Sequence, residues 1–301
     1  MNDERDEYKP LTAAGRQAMK LMEIPDEAGA YEVLSACVRY IAALEKQQSL
    51  DVVVAGGTRL HRVDAALRPY ELSAAAQRSL AASHDHLHTL MTLFTKGEAQ
   101  HTFSPFTIVR GALEALAQGL YGLGSRNMLT MIQRSLHLEY SNVKNSHNFS
   151  RKFATVNPDD QRLRKLEDRA KTAGVKVSSL KEPLRYSHII ETVDDEHDTD
   201  GLTMAIWQLT SGIAHNKSWA TVALTDRQEI EGTRDEIGAS FRITSNSTWL
   251  ATCVRTSCVL HEMLRLTHTR QSIGAIYRRD ALQAEALIEV MAASDHSDTE
   301  G

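Results

Sequence analysis

The sequence predicts a mostly α-helical fold, a multi-helix bundle, and three observations carry that prediction. Apolar residues recur at three-to-four spacing over long stretches, as in Tyr31, Leu34, Val38, Ile41 and Leu44. The segment Pro105–Leu123 has no solvated face: Phe106, Val109, Leu113, Leu116 and Leu120 form one side, and Gly111, Ala115, Gly119 and Gly122 line the other. Such a helix belongs in the middle of a bundle. Each glycine costs roughly 1 kcal/mol in a helix interior, so the three here imply a second helix packed close against them. Finally, strand signals are sparse. Trp219–Leu224 and Gly238–Thr244 are the candidates for one small β-hairpin within 219–245, and Asp51–Gly57 reads as a short extended run or a turn.

The elements follow in order. Residues 1–10 and 294–301 are polar and read as disordered tails. Leu11–Met22 and Asp26–Gln47 read as helices, the second with Asp26 as N-cap after Pro25. With the connecting residues they form an N-terminal unit, 11–70, packed on a main bundle, 71–293. Within that bundle, helices are predicted over Pro69–Lys96, Pro105–Leu123 and Met128–Phe149. Asn157-Pro158-Asp159-Asp160 starts another, with an N-cap, a proline at the first position and acids in the first turn. The helix it opens is rich in Arg and Lys, but Asp160/Arg164 and Glu167/Lys171 sit at i,i+4 and make it a solvated face. Gly174–Asp200 reads as a mixed loop with one short helix over Pro183–Thr192. Leu202–Ser218, an amphipathic Ser247–Arg270 and Ile273–Met291 complete the helices.

Composition bounds the function. At 301 residues, 42% hydrophobic and 24% charged, the chain can bury a sizeable core. A net charge of -5 and a pI near 6.2 exclude a protein that coats nucleic acid through its overall field. Cys37, Cys253 and Cys258 show no zinc spacing and fit thiols used as small core residues in a reducing compartment. The acidic start Met1–Glu7 is unlike a signal peptide. The weakly polar run Ile108–Leu123 is interrupted by Arg110 and Glu114 and is short of the roughly 20 residues of a membrane span. The expectation is a soluble, cytoplasmic protein that needs no cofactor and does not engage a membrane.

Two polar pairs stand out. Arg110 with Glu114, and Ser211 with His215, are each four residues apart and therefore on one helix face. Charge on an apolar helix demands a partner, so these four residues are expected to be buried together. Either they brace the bundle or they form a site, with Arg110, His215 and Asn216 as contacts to a small anion, since Arg110 offers a rigid bidentate fork. No GxSxG elbow accompanies Ser211 and His215.

Other patterns carry less. His84, Asp85 and His88 could meet a metal from one helix, but no HExxH or paired Glu-x-x-His supports them. Glu196-x-Asp198-x-Asp200-Gly201 imitates the start of an EF-hand, yet Trp207 stands where the bidentate glutamate is needed, so it reads as an acidic surface loop. Arg78…His84 and Arg255…His261 fit the Arg-x(4–6)-His spacing of HEPN-type ribonucleases. About three such pairs are expected by chance in a chain with 13 histidines, so two are no excess.

Taken together, several segments resemble an uncharacterised group of actinobacterial all-helical proteins. They are Asp85-His86-Leu87, Phe103-Ser104-Pro105, Arg110-Gly111-Ala112-Leu113-Glu114, Arg126, Leu209-Thr210-Ser211 with His215, and Trp219. The resemblance spans roughly residues 75–220 and implies architecture without an activity. The layout is also loosely similar to HEPN bundles, which would make Arg110, Glu114 and His215 the polar centre. Ser211 stands where that family has arginine or asparagine before the histidine. Two functions follow as expectations. One is a non-catalytic protein that binds a small anion, a protein partner or a second copy of itself through its C-terminal helices, and here the polar centre is closed. The other is a HEPN-like enzyme acting on RNA or nucleotides, of a toxin or phage-defence type, in which His215 is a base open to solvent and Arg110 holds phosphate.

Overall fold

The computed structural model describes residues 24–46, 53–97, 101–153 and 159–273. Among them are eleven helices and two strands: α1 (Glu27–Lys46), α2 (Arg59–Leu67), α3 (Leu72–Lys96), α4 (Ser104–Leu123), α5 (Met128–Phe153), α6 (Asp159–Thr172), α7 (Val177–Lys181), α8 (Tyr186–His197), α9 (Leu202–Ala214), α10 (Ser218–Leu224), β1 (Thr225–Glu229), β2 (Phe241–Ser245) and α11 (Ser247–Ile273). The expected fold class holds: a helical bundle with one small hairpin. The helices expected over 11–22 and 274–291, the Asn157-Pro158 signal and both tails lie outside the described residues.

The helix at Pro105–Leu123 is α4, and it is central as its glycines require. It packs along α3 more extensively than any other pair of elements, and on its other sides against α11, α9 and α8. A Cβ at Gly119 would come within 2.6 Å of a Leu264 methyl and 3.1 Å of Ser79 Cβ, so glycine is what lets three helices converge there. Phe106, Val109, Leu113, Leu116 and Leu120 are fully buried.

Three expectations need correction. The span read as one helix from Pro69 begins only at Leu72, and a separate helix, α2, precedes it. Thr58 caps α2 by accepting from His61 N–H at 3.2 Å, and Asp64 accepts from Ser73 N–H at 3.1 Å, tying the two helices across Pro69. Second, Trp219–Leu224 is not a strand. It is helix α10, and the partner of β2 is Thr225–Glu229, in the register Thr225↔Ser245 to Glu229↔Phe241. Val53–Gly57 likewise forms no strand and ends in a turn. Third, α11 is not amphipathic: every residue from Leu250 to Leu264 is buried. It fills the space between α1, α3 and α4. Three of its buried hydroxyls are satisfied without leaving the helix: Thr252, Thr256 and Ser257 each donate to the carbonyl four residues back, at 2.9, 2.9 and 3.0 Å. Between Leu250 and Leu264 this helix offers no exposed face to a second copy, and the other C-terminal helix expected to do so lies outside the described residues.

Among the described residues three histidines are buried: His197, His261 and His268. Desolvation lowers the pKa of each, that of His261 to about 3. In the unfolded chain these groups titrate near pH 6.5. Between pH 6.5 and 3 the folded state therefore binds fewer protons than the unfolded one. Stability is full above pH 6.5 and falls with acidification, by up to about 1.4 kcal/mol per pH unit for His261 alone. Thermal midpoints measured from pH 7.5 to 4.5 should fall steadily, and His261→Phe should flatten the slope. A flat profile in the wild type would refute this.

Candidate functional site

The polar pairs are carried by α4 and α9. On α4, Arg110 and Glu114 lie one turn apart, and Arg110 Nε donates to Glu114 Oε1 at 2.9 Å. Helix α9 runs beside them, with Trp207, Ser211 and His215 at successive four-residue steps along one side. Arg110 Nη1 lies 3.3 Å from His215 Nε2, and Trp207 Nε1 donates to Glu114 Oε1 at 3.0 Å. With Arg110 as the donor, His215 accepts at Nε2 and carries its proton on Nδ1.

This corner is open to solvent. The Arg110 and Glu114 side chains keep 23% and 22% of their surface, and His215 is exposed. The expectation of a buried four-residue network is thus corrected in two respects. The cluster sits at the rim of the α4–α9 groove, because α9 ends there. And Ser211, half-buried one turn earlier, joins neither Arg110 nor Glu114, its place being taken by Trp207. The 207/211/215 spacing was the signal that could have shown Trp207.

Asn216 has a backbone role at this point. Helix α9 was expected to run to Ser218 but stops at Ala214, and Asn216 takes the left-handed conformation at φ 53°. Asn216 N–H reaches Ile213 O at 2.9 Å, and Lys217 N–H reaches Gly212 O at 2.8 Å, the paired bonds of a Schellman turn. The turn folds α10 back so closely that a Cβ on Gly212 would lie 2.5 Å from Ala220 Cβ. That contact holds Trp219 over the end of α9 and fixes where His215 emerges.

The start of α9 is held by a residue the sequence did not flag. Gly201 precedes α9 and has no side chain with which to cap it. Asp194, on the last turn of α8 and 7% exposed, does so from a distance. Its carboxylate accepts from Thr203 N–H at 3.2 Å, from Met204 N–H at 2.9 Å and from the Thr199 hydroxyl. The segment that imitates an EF-hand is therefore a tight α8–α9 turn, with Asp198, Asp200 and Gly201 all at positive φ. As expected its Asp198 and Asp200 are on the surface, while His197 and Thr199 alongside them are buried.

Beyond the corner the flank of α4 continues through Gln118, one turn after Glu114, into a cleft of about 890 Å3. The cleft lies between α3, α4 and α5, with α6 and the start of α8 at its edges. Small residues make its floor: Ser79 and Ala82 of α3, Ala115 and Gly119 of α4. Its walls carry Arg78, Ser135, Glu139, Asn142, Asn145 and Arg162. Tyr186 stands where the cleft meets the corner, its phenolic oxygen accepting from Gln118 Nε2. Burial and then the charge of Glu114 push the Tyr186 phenol up, so it stays protonated. Arg162 is engaged by Glu139 at 3.4 Å, whereas exposed Arg78 forms no ion pair among the described residues.

The weaker candidates part company. His88 Nε2 pairs with Glu45 at 2.8 Å, Asp85 is exposed, and His84 turns toward His261, with ring centroids 6.3 Å apart. No group of three His, Cys, Asp or Glu side chains suited to a metal comes together among the described residues. In Arg78…His84 the arginine lines the cleft while the histidine faces α11. In Arg255…His261 both residues are buried. Neither segment offers an arginine and a histidine to one external phosphate.

Compared with known proteins, the chain matches no family model, no curated protein and no solved structure. No described helix is long and apolar enough to cross a membrane.

Proposed function

We propose that this protein binds, without transforming it, a small molecule bearing a carboxylate or phosphate, and that the molecule lies in the cleft between α3, α4 and α5. The observation that supports this reading is the cleft's make-up. Its volume, about 890 Å3, falls within the roughly 300–1,000 Å3 of small-molecule sites. A floor of small side chains admits a ligand body, and Arg78 is a cation at the wall without an ion-pair partner among the described residues. In this reading Arg110, Glu114, Trp207 and His215 act as a brace at one end of the cleft. The Arg110 charge is already offset by Glu114, which leaves the corner little attraction for an anion.

The test is a thermal-shift screen of small carboxylates, inorganic phosphate and nucleoside monophosphates, followed by titration of any hit. Arg78→Ala should weaken the hit about tenfold or more, the roughly 1.5–3 kcal/mol of a hydrogen bond to a charged group. Ala82→Trp, an exposed change that fills the cleft, should abolish binding while leaving the fold intact. A ligand indifferent to both variants would sink the proposal.

A second reading, a HEPN-like enzyme acting on RNA or nucleotides, draws on one observation: His215 is exposed beside Arg110. It requires Arg110 to exchange Glu114 for phosphate and His215 Nε2 to give up its bond to Arg110 before acting as a base. Labelled single-stranded RNA incubated with wild type and His215→Ala separates the readings, since only the enzyme cleaves and only through His215. The stability of His215→Ala should change little, by about 1 kcal/mol or less, as expected for one exposed hydrogen bond. A larger loss in a differential scan would make His215 a brace of the whole bundle.

A further inference from the structure

Between α1, α3 and α11 lies a buried chain of polar groups that the cleft does not use. The Arg265 guanidinium grips both oxygens of Glu262, at 2.7 and 2.6 Å. A carboxylate so held is ionised and can only accept. The Tyr40 phenol lies 3.2 Å from Glu262 Oε2 and 2.9 Å from His261 Nδ1. Tyr40 has one proton. Given to Glu262, it leaves the phenolic oxygen free to accept from His261 Nδ1–H, and no two acceptors face each other. Given to His261, it sets the phenolic oxygen and the carboxylate against each other as two acceptors. The first arrangement therefore prevails, and it fixes the His261 tautomer: Nδ1 carries the proton and Nε2 is a bare lone pair.

That lone pair is fully inside the protein. His261 has no exposed surface, and its Nε2 has no hydrogen-bond partner among the described residues. Across from it is His84, whose Nδ1 is likewise buried and unpartnered. The rings are tilted by 46° with centroids 6.3 Å apart, close enough to share one small bridging group. Buried imidazole nitrogens in native proteins are almost always bonded.

We propose that His84 and His261 form an internal binding site for one neutral hydrogen-bonding molecule of the size of water, which accepts from His84 Nδ1–H and donates to His261 Nε2. The bound molecule completes a relay from half-exposed His84 through His261 and Tyr40 to Glu262 and Arg265, joining α3, α1 and α11 in one hydrogen-bonded layer. A metal ion is the poorer occupant. The carboxylate of this chain of groups, Glu262, is already balanced by Arg265, and no cluster of three metal-ligating side chains forms among the described residues. Burial, then the neighbouring His84 and Arg265, already keep a proton off His261, and a cation meets the same barrier. A water, by contrast, brings the donor and acceptor that the two nitrogens need at no cost in charge.

The test uses the full chain labelled with 15N-histidine, with His84→Gln and His261→Gln serving to assign the two rings. Long-range 1H–15N spectra of the wild type should show His261 as the Nδ1–H tautomer, and both rings should give cross-peaks to a slowly exchanging water. In His84→Gln the water cross-peak to His261 should be lost. Protonation of His261 at Nε2, or the absence of a water cross-peak at both rings, overturns the proposal. So does one equivalent of zinc or silver ion retained after dialysis and released by His84→Gln. If either variant fails to fold, a high-resolution crystal structure of the wild type decides by density between the rings.

Discussion

Asp194→Ala should cost the fold about 2–4 kcal/mol, although the residue belongs to no hydrophobic core. Among the described residues its carboxylate is the side-chain cap on the start of α9, and it holds two backbone N–H groups and a threonine hydroxyl inside the protein. Hydrogen bonds to a charged acceptor contribute about 1.5–3 kcal/mol each, and stranding buried donors adds to the loss. At about 2–4 °C per kcal/mol for a large domain, the thermal midpoint should drop by roughly 5–10 °C. Asp194→Asn keeps one acceptor and should recover part of that. Because α9 carries Trp207, its indole fluorescence should change below the main transition if α9 loosens first. A midpoint within about 1 °C of wild type for Asp194→Ala would show that α9 is held by packing alone.

The second large effect is expected at Glu262. Its side chain is 3% exposed and is paired with Arg265. Removing one member of a buried pair typically costs about 3–5 kcal/mol, because the other charge is left without compensation. Arg265 keeps 26% of its side-chain surface and can turn to water, so Glu262→Ala should fall at the lower end, about 3 kcal/mol. Arg265→Ala added to Glu262→Ala should restore some of that, a coupling readable in a double-mutant cycle by urea unfolding. Strict additivity of the two losses would mean that the pair is not a unit.

How much of this was legible in the sequence depended on whether the deciding contact was local. Helix α4 was legible because its glycines and the Arg110–Glu114 step declare their purpose within two turns. The Arg110–Glu114 bond needed only the i,i+4 rule. Trp207 was legible only as a spacing, and the cleft was not legible at all, since it depends on how α3 and α5 pack on α4. The misreading of α11 has a chemical cause. Thr252, Thr256 and Ser257 look like part of a solvent face, but they spend their hydroxyls on the helix's own backbone and so can be buried. Trp219–Leu224 looks extended because its residues favour strands. It is helical because the Asn216 turn and the Gly212–Ala220 contact hold it there. The true strand, Thr225–Glu229, has one buried residue and four exposed ones, so it shows no alternation to find. Asp194 acts on groups nine and ten residues ahead, beyond the three-residue reach of an ordinary cap signature.

The burial of α11 on all sides also constrains how the molecule can come apart. A helix on the rim can fray or detach while its neighbours stay folded, and its amide protons then exchange with solvent through small, frequent openings. Leu250–Leu264 has no such route, because no face of it reaches water until the helices around it have separated. Its amides can exchange only when the bundle is lost as a whole, so this stretch acts as the protein's own gauge of global unfolding.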